Sequence, residues 1–174
     1  MSCATLYRDA MGLLHTYDVD LVWTGAGEHG TAGYTAYSRD HEVLVEGKPA
    51  LLGSADAAFR GDPARHNPED LLVASLAQCH MLWFLHLAGA DGLVVVDYAD
   101  RATGTMRVEA AGHGSFTEVV LRPRVRLRGD LTPGEELDHR LAGLHHRAHD
   151  HCFIARSVNF PVLAEPAPAV VTAG

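Results

Sequence analysis

Two of the three cysteines stand where sulfur chemistry is conceivable. Cys79 lies in Gln78-Cys79-His80, the polar centre of a run from Leu71 to Ala90 that holds no Asp, Glu, Lys or Arg. Cys152 closes a histidine-rich stretch that includes His139, His145, His146, His149 and His151. A thiolate is a strong nucleophile, whereas most buried thiols are small inert hydrophobes. Both readings stand for Cys79 taken alone. Its polar neighbours must find partners, and an arginine or carboxylate from elsewhere in the chain could supply them. His145 and His149 are i,i+4 neighbours with Cys152 three residues on, a spacing that suits metal ligation. No Cys-x-x-Cys and no second ligand pair accompanies them, so a solvated helix face or a complement to the helix dipole is the simpler account. Cys3, near the terminus, reads as an incidental thiol.

The elements that would position these residues follow from pattern. Tyr17 to Trp23 alternates apolar and polar as a half-buried strand does, and Gly25, Gly27 and Gly30 form the next turn. Tyr34 to Ser38 and His41 to Glu46 read as a hairpin pair, with a turn at Gly47-Lys48-Pro49; the stretch from Ala50 to Asp62 is less regular. Asn67-Pro68-Glu69 combines an N-cap residue, a proline at the first helical position and an acid in the first turn. It opens a helix that runs through Leu87 and stops near Gly89 or Gly92. Strands are expected at Val94–Ala99, Thr103–Ala111 and Val119–Arg128, with a turn at Gly112-His113-Gly114. Arg122, Arg124, Arg126 and Arg128 line one face of the third, most simply a solvated face. Thr132-Pro133-Gly134-Glu135 has the form of a capping box for a second, amphipathic helix through about His149. Phe160 to Leu163 is a last short strand, residues 1–14 an arm or short helix, and residues 166–174 a fraying tail.

Strand blocks separated by helices indicate an α+β fold in a single domain over residues 1–174. With 174 residues, 47% hydrophobic and 21% charged, the chain can bury a core without staples. The net charge of −8, with no basic block, argues against nucleic acid as a partner. No basic segment followed by an apolar run opens the sequence, so the expected location is the cytoplasm. The long apolar run has a polar centre and acidic flanks at Asp70 and Asp91, so it reads as a core helix rather than a membrane span. Because that helix is apolar all round, it needs cover on every side, and a homodimer is expected to supply part of it.

The stretch from Asn67 to His80 resembles the first signature of the OsmC/Ohr family of organic hydroperoxide reductases. An Asn-Pro-Glu opens the central helix there, and the reactive cysteine lies ten residues beyond the glutamate, as Cys79 does beyond Glu69. Ala148-His149-Asp150-His151-Cys152 is similar to the second signature, a His-rich helix end running into the second cysteine. Together the motifs and the strands between them cover about residues 17–165. The resemblance implies antiparallel sheets wrapped around long central helices in an intertwined homodimer.

It also implies a chemistry. Cys79 as thiolate attacks the peroxide O–O bond, releasing an alcohol and becoming a sulfenic acid, which condenses with Cys152 to a disulfide that an external dithiol, lipoyl-type or a small thiol, reduces. No cofactor and no metal are implied. The family supplies an arginine from the segment ahead of the helix, held by the glutamate; here that points to Arg60, with Arg65 as competitor, and to Glu69 as holder. Ten helical residues span about 15 Å. Glu69 therefore cannot reach its own Cys79, and the expectation is a site composed across the dimer. Met81, Leu82, Trp83 and Phe84, with Arg65, are the expected substrate-binding residues, suited to fatty-acyl or aryl hydroperoxides.

Two departures stand out. Arg65-His66 precedes Asn-Pro-Glu where the family often has Gly-Thr, and Phe153 follows Cys152 where it often has Pro. They point to an OsmC-like branch and bear on substrate and reductant more than on fold. Two other classes stay open at this stage: a redox-sensing or binding protein of the same fold with little turnover, and a His/Cys metal-binding protein.

Overall fold

The computed structural model describes residues 14–173. The arm expected at the N-terminus, apart from Leu14, lies outside them, as does Cys3. The described residues separate into two compact units, one ending at Asn67 and the other beginning at Pro68.

The first unit is built on three short antiparallel strands, β1 (Asp20–Trp23), β2 (His41–Leu44) and β3 (Leu51–Gly53), in the order β1-β2-β3. The hairpin expected between Tyr34–Ser38 and His41–Glu46 does not form; β2 pairs with β1 instead, Trp23 opposite His41. The intervening residues fold back on β1. The Trp23 indole N–H donates to the Ser38 carbonyl at 2.9 Å, and the Ser38 N–H donates to the Gly25 carbonyl. A Cβ at Gly25 would run into the Ser38 carbonyl, so only glycine permits this approach. The residues of β1 are exposed throughout rather than half-buried, and the segment after the Gly47 turn supplies a third strand where irregular chain was expected.

The second unit opens with α1 (Pro68–Ala90). Pro68 stands at its start as expected, and Glu69 and Asp70 place negative charge in the first turn. It ends in a Schellman arrangement: Gly92 is left-handed (φ +75°), its N–H reaches the Gly89 carbonyl at 3.1 Å, and Leu93 N–H reaches Ala88 at 2.9 Å. By length and composition α1 could cross a membrane. One face, Leu76, His80, Phe84, Leu87 and Ala88, is buried in the core, while Ala74, Gln78, Leu82 and His86 are exposed. Among the described residues, cover for α1 is therefore present on one face only.

Four strands follow: β4 (Val94–Asp100), β5 (Thr103–Val108), β6 (Gly114–Leu121) and β7 (Pro123–Arg128). The single strand expected over Val119–Arg128 is two strands in two sheets, broken at Arg122, whose N–H is taken by the Asp100 carboxylate at 2.7 Å. Pro123, with no N–H to donate, begins the new strand. Along β7, Pro123, Val125 and Leu127 point inward and Arg124, Arg126 and Arg128 outward, as the alternation predicts. α2 (Glu135–His151) then begins without the expected capping box. Its N-cap is Gly134 (φ +153°), in a conformation open to glycine, and no side chain caps it.

The last strands are β8 (Val162–Ala164) and β9 (Val170–Thr172). β6 and β7 pair antiparallel with β5 and β4, but β8 joins β6 and β9 joins β7 in parallel, so both sheets are mixed rather than antiparallel. The tail expected to fray is tied down by β9 and by two further bonds: Ala169 N–H to Asp138 and Thr172 Oγ1 to the Leu127 carbonyl, each 3.1 Å.

Two apolar clusters share α1. Leu76 packs with Val119 and Leu121, while Phe84, Leu87 and Ala88 pack with Val125, Leu127 and the inner face of α2. Between them His80 Nε2 meets His145 Nδ1 at 3.0 Å, the rings parallel, and His145 stacks on Phe84 at 4.1 Å. His145, expected on a solvated face, belongs to the buried stripe Leu137, Leu141, Leu144, His145 and Ala148. Burial, with a smaller contribution from His149, holds His80 down to about 4; burial, with His80 beside it, holds His145 down to about 3.

The unfolded chain takes up protons at these histidines near pH 6.5 and the folded chain only well below it, so the unfolded state binds more protons in between. Stability is expected to be independent of this pair above about pH 6.5 and to fall by a few kcal/mol as pH drops toward 4. Urea unfolding across that range measures the slope, and the double variant His80→Leu/His145→Leu should flatten it.

Candidate active site

The turn that ends α2 brings the two cysteines together. Cys152 caps the helix with its N–H on the His149 carbonyl at 3.1 Å, and its extended backbone (φ −67°, ψ 107°) turns the chain away. Cys152 is only 1% exposed, its sulfur accepts the Ala155 N–H at 3.4 Å, and Cys79 lies near enough to perturb its ionisation. Both are free thiols, Cys79 half-buried on α1. Burial pushes the Cys152 thiol up to about 11, and interaction with Cys79 pushes the same way, against the N–H groups of Ala155 and Ile154. At neutral pH Cys152 is thus a protonated thiol.

Beside the sulfurs lies an apolar cleft of about 350 Å³, lined by Cys79, Leu82, Trp83, His86 and Phe153. The four α1 residues are spaced i, i+3, i+4 and i+7, one face of a helix. Trp83 is the hub of the lining, touching His86, His151 and Phe153 at ring-centre distances of 5.8, 5.0 and 5.6 Å.

Of the residues expected to bind substrate, Trp83 and Leu82 line this cleft. Phe84 does not: it is fully buried in the core against His145 and Tyr98, 140° around the helix from Cys79 by the 100° step per residue. Met81 is half-buried and is not part of the lining either. His86 and Phe153 were not anticipated. The signal for His86 was the i+7 spacing from Cys79, and for Phe153 its adjacency to Cys152. Glu69 stands in the first turn of α1, about 15 Å along the axis from Cys79. His145 spends one ring nitrogen on His80, and among the described residues no group of three or more His, Cys, Asp or Glu is arranged to hold a metal ion.

Arg60 and Arg65 belong to the first unit and differ in their engagement there. Arg65 lies 3.8 Å from the Asp40 carboxylate and 3.6 Å from that of Asp62, and the Ser54 hydroxyl donates to the Asp40 carboxylate while accepting the Asp62 backbone N–H. Arg60 makes no ion pair among the described residues, and its guanidinium lies 5.8 Å from the Tyr34 ring centre. Its backbone is left-handed (φ +67°), uncommon outside glycine, at the end of a short turn capped by Asp56.

The model of the OsmC-like protein family matches residues 61–165, the span from the end of that turn through β8. An OsmC-like protein of unknown function from Vibrio cholerae O1 biovar eltor is 34% identical, covers 88% of this chain and all of its own, and superposes with a TM-score of 0.78. An organic hydroperoxide resistance protein OsmC from Legionella pneumophila shares the fold at 17% identity, with a TM-score of 0.63 over 92% of this chain and 100% of that one. The organic hydroperoxide resistance protein OhrB of Bacillus subtilis does so at 19% identity, with a TM-score of 0.60 over 89% and 100%. No curated protein matches the chain. The family match over more than half the sequence, on a mixed α+β fold that brings two thiols near each other, shows that the chain belongs to the OsmC-like protein family.

Proposed function

We propose that the protein is a thiol-dependent peroxidase that reduces organic hydroperoxides to alcohols. The observation that carries the reading is the half-buried Cys79, close to a buried Cys152 and opening on an apolar cleft. The Cys79 thiolate attacks the terminal peroxide oxygen, the O–O bond breaks, and the alkoxide leaves as alcohol on taking a proton; Cys79 becomes a sulfenic acid. The Cys152 thiol then displaces water from it, giving one disulfide and one water, and an external dithiol restores both thiols as it is itself oxidised. The nearness of the two thiols supports the second step, since condensation needs them adjacent.

Burial alone would oppose ionisation of Cys79, so a positive partner is required. By the family resemblance it is an arginine from the segment before α1. Arg60 suits the role better than Arg65, which two carboxylates already occupy. Glu69, too far along α1 to serve its own Cys79, is assigned to the Cys79 of a second copy, and the exposed Leu82 (60%) and Phe153 (67%) are in keeping with a homodimer.

Steady-state turnover of cumene hydroperoxide with a dithiol tests the reading. Cys79→Ser should fall to background. Cys152→Ser should stop after one turnover as a sulfenic acid that dimedone traps for mass spectrometry. Retained turnover in Cys79→Ser overturns the assignment, and a disulfide that forms without cycling identifies a sensor instead. Composite sites are tested by mixing inactive Glu69→Ala and Cys79→Ser chains. Random reassociation into two-fold dimers leaves one intact site in half of them, so about a quarter of wild-type activity should return. No recovery would overturn the cross-dimer arrangement.

A further inference from the structure

We infer that His86 selects hydroperoxides that carry a carboxylate about nine bonds from the peroxide group. The inference rests on the peroxidase reading of Cys79 and deepens it to a substrate class. Of the five residues lining the cleft, Cys79 stands at one end and His86 at the other; Leu82, Phe153 and the largely apolar Trp83, whose indole N–H can donate but not repel, lie between and around them. Among the described residues no carboxylate lines it. His86 is exposed, its ring set edge-on to Trp83 at 5.8 Å, with the His151 ring on the same indole at 5.0 Å. An end group reaching this point meets imidazole N–H donors while staying in contact with water, which lowers the desolvation penalty of a charge.

The spacing sets the length. Seven residues separate Cys79 from His86 on one helix face, about 10.5 Å along the axis at 1.5 Å per residue. An extended chain advances about 1.2 Å per bond, so roughly nine bonds join a peroxide oxygen at Cys79 to a carboxylate at His86. The methylenes between them would lie over Leu82 and Trp83.

Four hydroperoxides read this out by kcat/KM at neutral pH: ω-hydroperoxynonanoic acid, its methyl ester, ω-hydroperoxypentanoic acid, and cumene hydroperoxide. The nonanoic acid should exceed both its ester and the shorter acid by up to about fivefold, the range of a solvent-exposed charge-assisted contact. His86→Leu should bring the acid-to-ester ratio close to one, and His86→Gln, which keeps an N–H donor, should restore part of it. Equal turnover of acid and ester by the wild type, or a ratio unmoved by His86→Leu, overturns the inference. Cumene hydroperoxide separates the two claims: turnover of cumene hydroperoxide without acid preference defeats only the role of His86. No turnover of any hydroperoxide defeats the peroxidase reading and this inference together.

Discussion

The proposed chemistry asks a sulfur to ionise in the middle of a largely apolar helix, and much of the second unit answers that conflict. Full burial would keep Cys79 protonated and inert; full exposure would lose the dry surroundings in which an apolar hydroperoxide can dock. α1 resolves this by rotation. Its Leu76–His80–Phe84 stripe enters the two apolar clusters, and Cys79, one residue round from that stripe, is left half in and half out beside the cleft. Because one cluster holds the helix before Cys79 and the other holds it after, the sulfur is fixed from both directions.

Polar groups nearby are kept neutral by the same burial. His80 and His145 are uncharged at neutral pH and hydrogen-bond to each other, and Cys152 is held as a thiol. Part of the rise at Cys152 comes from negative charge on Cys79. Under the proposed chemistry that charge disappears when Cys79 becomes a neutral sulfenic acid, so Cys152 gains nucleophilicity only after there is something for it to attack. The order of the two steps would then follow from electrostatics without any moving part.

What the sequence made legible was mostly local. Asn67-Pro68-Glu69 and Gly92 bracket α1 by capping and dipole rules that need no knowledge of the rest of the chain, and the Arg/apolar alternation gives the two faces of β7. Pairing was not legible. Between Val119 and Arg128 only Pro123 hints that the chain changes sheets at Arg122; the partner that takes the Arg122 N–H is a carboxylate on Asp100, twenty-two residues earlier. β9 was hidden in a Pro/Ala-rich tail whose order comes from β7 and Asp138 rather than from its own propensity. At the site, the cysteines were marked by type and spacing, but the lining was misread where neighbours in sequence were taken for neighbours in space. Phe84 and Met81 follow Cys79 closely along the chain; His86 shares its face.

The position of Cys152 as the cap of α2 has a mechanical consequence. A bond from its sulfur to Cys79 would tie the middle of one core helix to the end of the other, closing a loop of 73 residues between positions 79 and 152. Chain-entropy arguments value such a closure at about 4 kcal/mol before any strain is subtracted. The oxidised chain would then be the stiffer and more heat-resistant of the two, and each reduction would return the helix pair to its looser state. A reductant's work here is therefore partly that of loosening a fold.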